Sequence, residues 1–290
     1  MGEFFALLTA VVWAVAVILL KRSGESVPPF ALNLFRVVVS TALLLPTVVL
    51  AGEAGWSRGS LADVLILFAS GIIAIATSDT LFHMSLNAVG AGISAIIDCL
   101  YAPLTVLFAT VLLGEHLSAL QLLGMALVII GVLAASGHAP PAGVPARQIA
   151  LGVVWGVLAM VALALGIVIA KPVLDHSPVL WATAVRQVGC LLVMGPIALL
   201  SPRRREYLEV FRPSHTWRVS LPAAVLGSYL ALIFWIAGMK YTKVGVAAIL
   251  NQSSTVYVLI LAAVFLHEPF TRRKLFASAL AIAGILLVTL

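Results

Sequence analysis

Residues 112–134 read LLGEHLSALQLLGMALVIIGVLA, and residues 265–287 read FLHEPFTRRKLFASALAIAGILL. The two stretches lie 153 positions apart and match in frame, so that Glu115 aligns with Glu268 and Gly131 aligns with Gly284. A passage that recurs at a fixed offset is typical of a chain built from repeated structural units.

The register extends outward from these stretches over most of the chain. The offset stays at 153 in the preceding apolar run and becomes 150 nearer the start of each half. The aligned pairs are Gly92 with Gly245, Asp98 with Asn251, Lys21 with Lys171, and Arg36 with Arg186. The chain therefore contains one unit twice, at residues 1–137 and 149–290, joined by a Pro/Gly-rich linker at residues 138–148.

The composition places both units in a lipid bilayer. Apolar residues make up 62% of the chain and charged residues 10%, whereas a soluble domain carries about a quarter charged residues. A spanning helix needs about 20 apolar residues, and a helix satisfies its own backbone hydrogen bonds in lipid. Ten apolar runs fit this length: 3–20, 30–50, 61–82, 90–113, 118–136, 149–170, 179–200, 218–238, 244–266 and 272–290.

We therefore predict an all-α integral membrane protein with ten transmembrane helices, arranged as two five-helix repeats. Because five is odd, the second repeat enters the membrane upside down relative to the first. Inverted repeats of this kind are typical of secondary transporters, whose site lies at the repeat interface near the middle of the membrane.

The charges between the apolar runs predict how the protein is oriented in the membrane, and they do not indicate a nucleic-acid partner. Eleven lysines and arginines lie on the predicted side that carries Lys21 and Arg272, against four on the other side. The positive-inside rule places the richer side in the cytoplasm, so both termini are expected to be non-cytoplasmic. We expect a multi-pass protein of a bacterial inner membrane whose first apolar run is retained, and no nucleic-acid partner.

No motif in the sequence calls for a metal or a cofactor. Cys99 and Cys190 lie inside apolar runs without a partner at ligand spacing, which is typical of small buried residues. The six histidines are scattered, and a phosphate-binding glycine loop is missing from the sequence. An enzyme is therefore disfavoured, as is direct use of ATP.

Several motifs, in order and in both halves, resemble the EamA-type transporters of the drug/metabolite transporter superfamily. They are Trp13 with Lys21 in the first run, NLFR in the second, Pro103 in the fourth and the repeated stretch quoted above. The resemblance implies ten helices around a central cavity lined mainly by spans 3, 4, 8 and 9, with help from spans 1 and 6. It also implies alternating-access transport of small metabolites, often export and often linked to protons.

The chain departs from the family pattern in its loops. Many members have a basic loop between spans 2 and 3, which implies cytoplasmic termini, but here that loop reads AGEAGWSRGS. Gly114 of the first motif is His267 in the second. We base the orientation on the charges of this chain.

Asp98 is the leading candidate for proton coupling and for substrate binding. An acid inside a bilayer span is costly when charged and usually faces a cavity or a partner. Pro103 follows in the same span and removes a helix hydrogen bond, so it should kink the helix beside Asp98. A structural acid held by a neighbouring polar group is the alternative.

Further candidates for the cavity wall come from the aligned span of the second repeat and from interior aromatic residues. Asn251 occupies the place of Asp98, and Ser254 shares its helix face. Trp13, Tyr101 and Trp235 could stack on flat or apolar substrates, although packing in the core is the alternative for each. Hydroxyls bonded to their own helix are the alternative for Ser254.

Asp79 and His83 share a helix face near the predicted cytoplasmic end of span 3. Since imidazole titrates near neutral pH, a proton relay from Asp98 through His83 to the cytosol is one hypothesis. An interfacial pair in contact with water is the other.

Four more charged residues are expected to have structural or gating roles. Arg36 and Arg186 could bind a substrate anion, or snorkel to headgroups or helix ends; structure is favoured because the family places their helices outside the core cavity. Glu115 and Glu268 precede spans 5 and 10, where a negative charge suits the helix dipole.

These observations favour a secondary transporter of small organic solutes, by alternating access and with proton-coupled export. Uptake, uniport and exchange remain alternatives within transport, and a non-transporting membrane sensor or assembly subunit is the alternative outside it. Because one chain carries both halves, we expect a functional monomer.

Overall fold

The computed structural model describes residues 1–54, 59–113, 118–136, 145–241, 250–269 and 271–288, and every regular element in these ranges is helical. The first repeat contributes α1 (Gly2–Ser23), α2 (Pro29–Leu50), α3 (Leu61–Gly71), α4 (Ser78–Asp98), α5 (Tyr101–Leu113) and α6 (Ala119–Ser136). The second contributes α7 (Ala146–His176), α8 (Val179–Leu200), α9 (Arg204–Glu209), α10 (Trp217–Ala224), α11 (Ala231–Tyr241), α12 (Ser254–Phe265) and α13 (Arg272–Val288).

The helices have the lengths and compositions of a membrane protein. Within the described ranges, six helices are long and apolar enough to cross a membrane, and three shorter apolar helices accompany them. The all-helical membrane architecture is therefore confirmed.

The predicted start of span 4 at residue 90 coincides with a break in the backbone, but the helix does not end at residue 82 as predicted for span 3. The helical path runs from residue 61 to residue 98, and its break lies inside α4 at Gly90, which has φ 82° and ψ 171°. Only glycine adopts this backbone conformation without steric cost. A second break follows Asp98, and α5 begins at Tyr101, so the fourth predicted run forms two short helices.

A π-helical turn occurs at the same place in each repeat. Residues Ile72–Thr77 join α3 to α4, and Val225–Leu230 join α10 to α11, 153 positions later. Each turn receives a side-chain amide from a neighbouring helix: Asn33 Nδ2 donates to the carbonyl oxygens of Ile75 (2.9 Å) and Ala76 (3.2 Å), and Gln187 Nε2 donates to the Ser228 carbonyl oxygen (3.3 Å). π-turns of this kind are frequent at functional sites.

The largest helix contacts join one repeat to the other. Helix α1 packs on α11, and its counterpart α7 packs on α4, while α2 packs on α8 and α6 packs on α13. The core therefore lies between the repeats, and the elements that carry the candidate residues surround it.

The segments before α6 and α13 also match. Ser118 and Gln121 form a capping box, with Gln121 N donating to Ser118 Oγ at 3.1 Å and Ser118 N donating to Gln121 Oε1 at 2.9 Å. In the second repeat, Lys274 N donates to Thr271 Oγ1 at 3.2 Å. A side-chain oxygen thus satisfies one of the free N–H groups at the start of each helix.

Candidate functional site

A cavity of about 140 Å³ lies between the two repeats. Its wall is formed by α1, α2, α4, α7, α8 and α11, both π-helical turns and the segments around Tyr101 and Asn251. The polar and charged residues of the wall are Thr9, Arg36, Ser78, Asp79, Asp98, Arg186, Gln187, Ser228, Asn251, Gln252 and Ser254. This cavity is the candidate site because both halves supply its ionisable and polar groups.

All six residues predicted to bind substrate lie on this wall. They are Trp13, Asp98, Tyr101, Trp235, Asn251 and Ser254. Arg36 and Arg186 lie on it too. The resemblance placed their helices outside the cavity, and the structure corrects that placement.

Arg36 is buried and paired within its own repeat. Its side chain is 2% exposed, and its Nη2 lies 3.5 Å from Asp79 Oδ2. Its Nη1 donates to His83 Nε2. Snorkelling to the headgroups does not describe this arginine, because two groups of α4 hold it in the protein interior.

Arg186 is equally buried, but most of its guanidinium is unpaired. Its Nε donates to Ser70 Oγ at 3.0 Å, and that hydroxyl donates to the Gly166 carbonyl oxygen at 2.7 Å. Neither Nη1 nor Nη2 has a hydrogen-bond partner among the described residues. Buried polar groups are normally hydrogen-bonded, so this edge of Arg186 marks a position for a ligand group.

The register of the repeats explains the difference. Since the π-turns lie 153 positions apart, Asp79 corresponds to Leu232, and His83 corresponds to Ile236. The second repeat therefore keeps the arginine and lacks both of its partners.

Asp98 is the last residue of α4 and lies beside the Trp13 indole. The chain leaves the helix through bonds from Cys99 N to Ile96 O (3.2 Å) and from Leu100 N to Ile97 O (2.9 Å). Pro103 then lies in the first turn of α5, where a proline costs no helix hydrogen bond. The carboxyl thus sits at a helix break on the cavity wall.

Asn251 and Gln187 each offer an unpaired acceptor from the second repeat. Neither Asn251 Oδ1 nor Gln187 Oε1 has a hydrogen-bond partner among the described residues, and both residues line the cavity. Nearby, Thr255 Oγ1 donates to the Ala95 carbonyl oxygen at 3.2 Å, which ties the beginning of α12 to α4. The cavity wall can therefore accept hydrogen bonds from N–H or O–H donors of a ligand.

Aromatic rings form the apolar part of the wall. The rings of Trp13 and Phe82 have centroids 5.8 Å apart, and those of Tyr101 and Trp235 are 6.2 Å apart. All four residues line the cavity, so an apolar or aromatic ligand body would find ring contacts from both repeats.

The residues of the hypothesised proton relay form a different arrangement. Asp79 lines the cavity, whereas His83 is 1% exposed and contacts Arg36. The structure places His83 behind Arg36 instead of at a water-exposed helix end.

Glu268 binds the start of a helix other than its own. Its Oε1 accepts from Ala91 N at 2.6 Å and its Oε2 accepts from Gly92 N at 3.0 Å, just beyond the break in α4. Lys274 Nζ lies 3.3 Å from the same carboxylate. Glu115 lies outside the described residues.

Several wall and supporting residues escaped the sequence analysis: Ser70, Ser78, Gln187 and Ser228. Their types are common in membrane helices, so composition gives no signal. The repeat register could have pointed to Arg186, because it shows an arginine whose acidic partner is replaced by leucine. Across the described part of the chain, no group of three or more His, Cys, Asp or Glu side chains could hold a metal ion.

Comparison with known proteins gives the same architecture. Two uncharacterized transporters of Archaeoglobus fulgidus are each 25% identical to this chain, one over 187 residues and the other over 287 residues. The first alignment covers 64% of this chain and 63% of that relative, and the second covers 98% and 96%. A solved crystal structure superposes with a TM-score of 0.66 over 99% of this chain and 95% of the other, at 18% identity, which shows the fold.

The family model of the EamA-like transporter family matches residues 1–137 and again residues 150–290. Two matches in tandem account for the internal repeat. The chain is a member of the EamA-like transporter family.

Proposed function

We propose that this protein is a secondary active transporter of small organic solutes that works by alternating access. The observation that carries the proposal is the cavity, whose wall is shared by two homologous halves and bears Arg36, Asp79, Asp98 and Arg186. Charged groups inside a membrane span are costly and usually mark a solute or ion pathway. A site at the interface of two inverted repeats can be exposed to either side by rocking one repeat against the other.

Asp98 is the proposed proton-coupling residue. Arg36 already neutralises Asp79 at 3.5 Å, whereas Asp98 forms no ion pair with a described residue. A carboxyl of this kind can hold a proton in one state of the transporter and release it in another. The His83 relay is not part of the proposal, because that ring contacts Arg36.

The proposed direction is export from the cytoplasm of a bacterial cell, with both termini outside. The uneven loop charges support the orientation, and the family resemblance supports export. The protein works as a monomer in this proposal, because one chain supplies both walls of the cavity.

The test is proton flux in proteoliposomes with an internal pH dye, for the wild type and Asp98→Asn. Pools of amino acids, organic acids, amines, nucleosides and cationic drugs are supplied in turn. We expect one pool to evoke flux in the wild type, and we expect Asp98→Asn to lose it while solute counterflow persists.

Two other outcomes would contradict parts of the proposal. Labelled solute that moves equally in both proteins without proton flux would make the protein a uniporter or an exchanger. Absence of flux and counterflow with every pool would favour a non-transporting membrane sensor or assembly subunit.

A further inference from the structure

The unpaired edge of Arg186 is the feature of the cavity that the protein itself does not explain. A buried guanidinium is stabilised when its N–H groups bind an anion or other acceptors. Ser70 accepts from Nε alone, at 3.0 Å, and both Nη atoms lack a partner among the described residues. What remains is the terminal edge of the guanidinium, on the cavity wall.

The geometry of that edge selects the ligand group. Two parallel N–H groups on a planar guanidinium match the two oxygens of a carboxylate, which they bind with two hydrogen bonds. Because Nε is held by Ser70, the carboxylate would approach end-on through Nη1 and Nη2. The backbone of Arg186 is also held in place, because it packs closely against Gly71. A Cβ at Gly71 would overlap the Arg186 carbonyl oxygen.

The charge balance of the cavity favours a monoanion. Arg36 is paired with Asp79 and contacts His83. In the state of the proposed transporter in which Asp98 holds its proton, Arg186 is therefore left to neutralise one negative charge. A phosphate dianion would need a second cation, which Arg36 could supply only by releasing Asp79. A single carboxylate leaves every described ion pair in place.

The rest of the wall indicates the body of the ligand. Trp13, Tyr101 and Trp235 present rings, and the cavity of about 140 Å³ holds a small molecule only. The unpaired oxygens of Asn251 and Gln187 call for N–H or O–H donors. We infer that the substrate is a small organic carboxylate with an apolar body and at least one hydrogen-bond donor, anchored end-on by Arg186.

This inference rests on the proposed function but is tested by binding. The protein is purified in detergent, and dissociation constants are measured from ligand-dependent thermal unfolding and by calorimetry. The probes are matched acids and amides that each carry a hydroxyl donor, mandelate with mandelamide and 3-phenyllactate with 3-phenyllactamide, plus phenethylamine as a cation. We expect each acid to bind at least about tenfold more tightly than its amide, because the amide cannot form the charge-assisted pair.

Two substitutions of Arg186 separate charge from geometry. Arg186→Gln should remove the preference for acid over amide. Arg186→Lys keeps the positive charge but loses the fork, so it should retain only part of the preference.

A third substitution restores the acid that the second repeat lacks. Leu232→Asp places a carboxylate at the position equivalent to Asp79, where it can pair with Arg186 and compete with the ligand. Leu232→Asn is the matched control, because it adds a polar group of the same size without the charge. We expect the preference for acids to disappear in Leu232→Asp and to remain in Leu232→Asn, even where affinity falls.

The inference is wrong if acids bind no more tightly than their amides, if phenethylamine is preferred, or if Arg186→Gln keeps the wild-type preference. These results leave the proposed function intact wherever another solute class still moves in proteoliposomes. Conversely, acids that bind through Arg186 but are never transported would leave the inference standing and contradict the proposed function.

Discussion

The two halves of this protein carry the same arginine in the same place and use it differently. In the first repeat, Arg36 is paired with Asp79 and contacts His83. In the second, Arg186 is held through Nε by Ser70, and its other nitrogens have no partner among the described residues. The positions that would complete the second arrangement are Leu232 and Ile236.

This difference shows how a duplicated scaffold acquires a site. The shared features are backbone features: the π-turns at equivalent positions and the packing of each repeat on the other. The differences are side chains on the cavity wall. A repeated fold therefore encloses an asymmetric cavity, in which one arginine is paired with an acid and the terminal nitrogens of the other have no partner among the described residues.

The largest effect is expected from a substitution that breaks the Arg36–Asp79 ion pair of the first repeat. Asp79→Asn leaves Arg36 buried without an anionic partner, which costs about 3–5 kcal/mol when one partner of a buried ion pair is removed. We expect a correspondingly lower free energy of unfolding, measured by denaturant titration of the purified protein in detergent.

The substitution compared with it in the second repeat is Arg186→Gln, which removes the arginine that has no acidic partner. It removes a buried charge and the bond to Ser70, which is worth about 1 kcal/mol, so stability should change by no more than about 1 kcal/mol. Equal losses in Asp79→Asn and Arg186→Gln would show that pairing does not distinguish the two arginines.

The next effect concerns the close packing between the end of α3 and the backbone of Arg186. Gly71→Ala should lower stability by about 1–3 kcal/mol, as overpacking does, because the added Cβ would meet the Arg186 backbone, which cannot rotate away. The equivalent residue in the other repeat is Ala224, which is fully buried. Ala224→Gly serves as the control and should cost about 0.5–1 kcal/mol; a larger loss there than in Gly71→Ala would contradict the assignment of close packing to α3.

The smallest effect on stability is expected from replacing the side-chain amides that donate hydrogen bonds to the π-turns. Asn33 donates to two carbonyl oxygens and to Thr80 Oγ1 at 3.0 Å, so Asn33→Leu should cost about 1–3 kcal/mol for the acceptors left unsatisfied. Gln187 makes one bond of 3.3 Å and leaves its oxygen unpaired. Gln187→Leu should therefore cost less than about 1 kcal/mol, measured in the same titration; the reverse order would show that the two turns are not held as their hydrogen bonds indicate.

The sequence predicted the repeat, the helical membrane architecture and a family, because each of these depends on apolar runs and fixed offsets. It also pointed to Asp98, Asn251 and the aromatic residues of the wall, since polar groups and large rings in a span call for a partner. The family resemblance placed the helices of Arg36 and Arg186 outside the cavity, whereas both side chains line it.

Other features depend on contacts between distant parts of the chain. A π-turn leaves no mark in hydrophobic spacing, so the residues it turns toward the cavity could not be assigned. Glu268 reaches Ala91, 177 positions away, and its own neighbours in sequence suggest only a local role. Span 3 was predicted to end at residue 82, but the helix continues to the break at Gly90, where span 4 was predicted to begin.

The repeated passage that opens the sequence analysis packs against itself. A Cβ at Gly131 would lie 2.9 Å from the Ala277 carbonyl oxygen, and a Cβ at Gly284 would lie 2.6 Å from that of Gly124. Helices α6 and α13 therefore cross backbone to backbone, and no side chain in the opposite copy can give way to a larger residue. Each copy of the passage therefore limits the size of the residues in the other, because a larger residue at Gly131 or Gly284 would force α6 and α13 apart.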